Sequence, residues 1–119
     1  MRAFVVALSV GSGAGILVFW TVALSTHRVP EQGKPSIRFH IVAELLAALL
    51  LVGGGLALLV TPASWASVLV ASGLGALFYS SVNSPGYYAD LRQTTAVWLF
   101  MVLGVVTLVG IVLLSLAGQ

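Results

Sequence analysis

His40 and Glu44 stand four residues apart at the head of a long apolar run, the spacing that stacks two side chains on one helix face. A carboxylate and an imidazole so placed can share a proton, hold a cation or hydrogen-bond a small polar molecule. As metal ligands they are two, where zinc takes three or four from protein, so a metal would have to recruit His27 or Asp90. Ala47, Ala48, Leu51 and Gly55 continue the same face, whereas Leu45, Leu46, Leu49, Leu50 and Val52 lie opposite and suit hydrocarbon.

Composition says what kind of element carries this pair. Of 119 residues 60% are hydrophobic and only 7% charged, and the mean hydropathy is +1.13. Soluble domains average about one quarter charged residues, so this is an integral membrane chain, all-α, with room for four spans of roughly 20 residues. The spans are expected at residues 3–25, 37–60, 63–83 and 91–116, as one up-down antiparallel bundle filling 1–119. Arg2, Arg28, Lys34, Arg38 and Arg92 against Glu31, Glu44 and Asp90 leave a formal net charge of +2. These charges cluster in loops and form no basic stripe, so no nucleic-acid partner is expected. The absence of cysteine excludes disulfides, thiolate catalysis and iron–sulfur ligation. The sequence also shows no activated nucleophile and no phosphate-binding loop. No cofactor is implied: His27 and His40 share one loop-helix segment, so a bis-histidine haem would need a symmetric dimer.

Taken in order, the first apolar run is too long for the ~7 to 15 residues of a signal-peptide core and reads as a retained helix. Ala7, Gly11 and Gly15 recur every four residues, a small-residue row that lets helices approach closely. Phe19 and Trp20 fall where aromatic belts form. The loop 26–36 holds Pro30, Gly33 and Pro35 and cannot be helical throughout. With Arg38 at the interface, Glu44 lies six residues, ~9 Å, deeper. Gly53, Gly54 and Gly55 predict close packing in the second span.

A four-residue connection at 61–64 makes the second and third spans antiparallel neighbours. The stripe Ser72, Ala76, Tyr79, Ser80 and Asn83 is therefore expected to bring Tyr79, Ser80 and Asn83 to the depth of His40 and Glu44. Residues 83–88 read as a turn around Pro85 with Gly86 at positive φ, and Asp90 with Gln93 as a capping box for the fourth span. Gly104, Thr107 and Gly110 are spaced for helix contact.

The expected site is thus Glu44, His40, Tyr79, Ser80 and Asn83. It either binds or passes a cation, proton or small molecule, or locks the second helix to the third; a small membrane enzyme is a third reading. Size and four-helix plan resemble the small multidrug resistance transporters, whose chains work as dimers. That family's glutamate is in its first helix, where this chain has none. The run 38–44 is similar to the second-helix Arg/Asn/Glu pattern of membrane-associated glutathione-using enzymes, without its asparagine. Loops carrying Arg28, Lys34, Arg38 and Arg92 predict a cytoplasmic side opposite both termini, in a cell inner membrane. The glycine rows around Gly11 and Gly104 predict a homo-oligomer in the lipid bilayer.

Overall fold

The computed structural model describes residues 1–29, 33–61 and 63–117; the readings placed on Pro30, Glu31 and Pro62 lie outside them. Four helices follow one another: α1 Arg2–Ser25, α2 Pro35–Val60, α3 Ser64–Asp90 and α4 Thr94–Ala117. Each is long and apolar enough to cross a membrane, and no strand occurs among the described residues. In lipid the backbone has no water to bond, so an apolar run of this length closes its hydrogen bonds internally as a helix.

Side-chain contacts establish the antiparallel order. Arg2 at the start of α1 donates to the Leu58 carbonyl at the end of α2, and Trp20 near the end of α1 reaches Glu44 near the start of α2. Ser80 of α3 meets the same Glu44, and the Tyr88 ring of α3 stacks on Phe100 of α4 at 5.2 Å. Sequential helices share the broadest contacts, α1 closes on α4 over a smaller area and α1 barely meets α3. Leu51, Val70 and Leu74 fill the middle, fully buried, with Val5, Leu58 and Leu77 around them.

Close approach depends on particular glycines. A methyl group on Gly13 would come within 2.8 Å of the Ala48 carbonyl oxygen, and one on Gly54 within 2.9 Å of the Val70 backbone nitrogen. Gly55 faces Val10 and Ser9, and Gly110 faces Leu8 and Leu74. Gly53 has open space beside it, so of the expected triplet only Gly54 and Gly55 pack. Ala7, Gly11 and Gly15 are exposed on the outside of α1, and α1 instead packs through Val6, Ser9 and Gly13. Gly104, Thr107 and Gly110 are buried within the chain, so they do not supply the outer face for a second copy.

Three local expectations are corrected. Residues 83–88 are helical, with Pro85 inside α3 and no glycine at positive φ. Proline removes one backbone donor, whereas a turn at this depth would strand several groups where nothing else can bond them. Asp90 closes α3 rather than capping α4: the first α4 bond runs from the Val97 amide to the Gln93 carbonyl. The left-handed turn residues are His27 at φ 53° and Arg92 at φ 56°, each two residues past a helix end. In both, paired backbone bonds close a Schellman turn: His27 to Leu24 with Arg28 to Ala23, and Arg92 to Ala89 with Gln93 to Tyr88. Finally, α3 is rotated relative to the expected stripe. Gly73, Leu77, Ser81 and Ser84 face inward, whereas Ser72, Ala76, Tyr79 and Asn83 face out. Between membrane helices close approach favours small residues, and burying large polar ones brings no comparable gain.

The two glycine classes predict opposite outcomes. Gly13→Ala and Gly54→Ala force backbone apart and should cost ~1 to 3 kcal/mol of unfolding free energy. Gly11→Ala and Gly15→Ala should be neutral or gain up to ~1 kcal/mol through helix propensity. Unfolding in mixed micelles measures both, and equal losses across the four would refute the packing described.

Candidate functional site

Glu44 lies nine residues past Pro35, ~13.5 Å along the helix and within ~5 Å of the middle of α2. At that depth a charged side chain is costly, about 2.5 to 3.5 kcal/mol on insertion scales, unless partners are at hand. The partners come from three helices. The Trp20 indole N–H of α1 donates to Glu44 Oε2 at 2.5 Å. The Ser80 hydroxyl of α3 donates to Oε1 at 2.7 Å. His40, one turn before Glu44 on α2, brings Nε2 to 3.3 Å from the same Oε1. One carboxylate thus joins α1, α2 and α3.

Burial grades across the pair. The Glu44 side chain is 18% exposed and that of His40 39%, so the imidazole is the more open member and lies nearer the loop end. Trp20 is buried, with its ring edge-on to Phe19 at 5.1 Å and to His40 at 6.2 Å. These contacts hold the indole where its single donor can only serve the carboxylate.

Of the five expected site residues, the structure brings together Glu44, His40 and Ser80. Tyr79 is 71% exposed on the outside of α3 and Asn83 is exposed beside it; neither meets Glu44. Sequence reasoning missed Trp20, read as a belt residue. The sequence puts Trp20 and Thr21 side by side near the loop end of α1, and the rotation of α1 decides that the indole rather than the hydroxyl meets Glu44.

The arrangement is chemically specific. Both carboxylate oxygens already accept a donor, which leaves a bare cation at most two ligating side chains among the described residues, His40 and Glu44. A proton needs no more than that pair, because the Nε2 lone pair of a neutral His40 can accept it from Oε1 across 3.3 Å. Among the described residues no three His, Asp or Glu side chains converge, so His40 and Glu44 remain two ligands for any metal. Toward the opposite end the face continues as buried Ala47, Ala48 and Leu51. The Ser9 and Thr107 hydroxyls are fully buried there with no hydrogen-bond partner among the described residues.

A double-mutant cycle on Trp20→Phe and Glu44→Gln should return a coupling of ~0.6 to 1.7 kcal/mol, the range for hydrogen bonds between membrane helices. The same cycle with Tyr79→Phe should return none within error. A Tyr79 coupling as large as that of Trp20 would contradict the geometry.

Residues 1–118 match the family described as Domain of unknown function (DUF8058). No curated protein and no solved structure matches the chain. With all but its last residue inside the match, the chain belongs to that family.

Proposed function

We propose that the chain is a small integral membrane protein whose Glu44–His40 pair binds a proton delivered from the loop end, with Trp20 and Ser80 holding the carboxylate in place. The observation that carries this reading is the 3.3 Å approach of His40 Nε2 to Glu44 Oε1, with His40 the more open of the two. His40 then exchanges protons with the loop end and Glu44 stores them. The buried apolar layer of Leu51, Val70 and Leu74 beyond supports a site reached from one side over an open pore. By charge, Arg28, Lys34, Arg38 and Arg92 against Arg2 favour that side as cytoplasmic, with both termini outside.

A second reading has its own observation. Trp20 and Ser80 come from separate helices, so Glu44 also acts as a staple that keeps α1 and α3 on α2. The chain has only three carboxylate side chains, Glu31, Glu44 and Asp90, which makes infrared difference spectroscopy decisive. Titrated in lipid across the range of carboxylates and histidine, the native protein should show a protonated-carboxyl band that Glu44→Gln lacks and His40→Gln shifts. Identical spectra for native protein and Glu44→Gln would leave only the staple.

The homo-oligomer is better supported by α3 than by the α1 row. Ser72, Ala76, Tyr79 and Asn83 line the outer face of α3, where acyl chains offer no hydrogen bonds. The Asn83 amide and Tyr79 hydroxyl both donate and accept, so two copies of this face satisfy one another about a two-fold axis. Asn83→Leu with Tyr79→Phe should reduce a dimer to monomer in detergent sizing, and an unchanged mass would exclude this face.

A further inference from the structure

Two open hollows lie at the loop end of the bundle. One, about 650 Å³, borders the start of α4 beside Arg92. The other, about 590 Å³, lies between the end of α1 and the start of α2, lined by Leu24, Gly33, Arg38, Ile41 and Val42. The second has an ordered polarity. Arg38 is three residues inside α2, ~4.5 Å from its start, and Ile41 and Val42 are ~9 to 10 Å in. A cation therefore stands near the interface and aliphatic side chains below it, with Leu24 as the facing wall.

Among the described residues no acidic side chain lines the hollow, and the Arg38 guanidinium is exposed with no hydrogen bond or ion pair to any of them. Gly33 contributes no side chain, and the space beside its Cα is open. Beyond the rim, Phe39 and Val42 are exposed on the outside of α2. A ligand seated here meets the forked cationic donor of Arg38 nearer the interface and the aliphatic wall of Ile41, Val42 and Leu24 below it, with the bare Gly33 outward of both. That is the order of a phospholipid, anionic phosphate outward and acyl chain inward.

We propose that this α1–α2 hollow is a binding site for an anionic phospholipid, with the Arg38 guanidinium on the phosphate and Ile41, Val42 and Leu24 against the glycerol and upper acyl chain. Arg38 is suited to the role because its planar fork pairs bidentately with phosphate oxygens, which a lysine cannot do. The lipid bridges the open ends of α1 and α2, whose Glu44–Trp20 bond lies one to two turns deeper. Occupancy accordingly steadies the hairpin that carries the site.

The test uses the full chain in detergent, with phosphatidylglycerol, phosphatidylcholine or inorganic phosphate added, read by thermal unfolding and by lipid retention in native mass spectrometry. Phosphatidylglycerol should stabilise the protein saturably and remain bound at one copy per hollow, while phosphatidylcholine and inorganic phosphate should do neither. Arg38→Gln should weaken phosphatidylglycerol roughly five- to tenfold, one basic contact to an anionic lipid, while leaving the lipid-free melting point unchanged. Arg38→Lys should recover part of the loss, and Arg92→Gln should retain native affinity for this seat. Equal weakening by Arg38→Gln and Arg92→Gln would mean diffuse attraction to the basic end and overturn the proposal. Stabilisation by inorganic phosphate equal to that by the lipid would overturn it as well.

Discussion

A carboxylate about a third of the way along a membrane helix demands hydrogen-bond donors, and the architecture of this chain answers that demand. Acyl chains offer a carboxylate no hydrogen bonds, so donors come from neighbouring helices or the charge is neutralised. Trp20 and Ser80 meet the need from either side, and His40 adds a group that can carry the proton. Three of the four helices are thereby registered at a single point, because sliding any of them by one residue would break a bond that lipid cannot replace.

The rest of the bundle is compatible with that point rather than independent of it. Gly13 admits the Ala48 backbone one turn deeper than the Glu44–Trp20 contact, and Gly73 admits Leu51 a further turn on, so α1 and α3 approach α2 closely enough for short donors to reach. Serine in particular has almost no reach, so a 2.7 Å bond from Ser80 depends on the longer Glu44 side chain extending across to α3. Small residues and the buried charge therefore work as one device: the first set the spacing, the second selects the register.

Function in such a chain is constrained by the same facts. A carboxylate with a single neighbouring ligand among the described residues, His40, makes a poor cation cage, and that half-open histidine lies toward the basic end. Joining helices, as observed, and holding a proton, as proposed, place opposite requirements on Glu44. A staple works best as a permanent anion, whereas a proton site must spend part of its time neutral, when the donors from Trp20 and Ser80 are held less strongly. Under that proposal, protonation and helix contact are coupled through one side chain.

Sequence alone determined the helical class, the membrane setting, the number of spans and the identity of the central acid, because hydrocarbon imposes length, hydropathy and backbone closure on every residue equally. The pairing of Glu44 with His40 was legible from an i, i+4 spacing that any helix obeys, and Ser80 from the short α2–α3 connection. Helix rotation was not legible. The polar stripe of α3 predicts Tyr79 and Asn83 inward, because intramembrane polar groups usually turn to the bundle interior, yet small residues take the contact between these helices and α3 turns both outward. The extent of α3 through Pro85 was likewise decided by the cost of freeing backbone in lipid, against the local preference of Ser84-Pro85-Gly86 for a turn. Only the tertiary structure could nominate Trp20, since its role depends on which of several aromatic residues near one membrane face comes level with an acid on a different helix. Depth follows from counting residues along one helix; partners depend on how neighbouring helices rotate and how closely they approach.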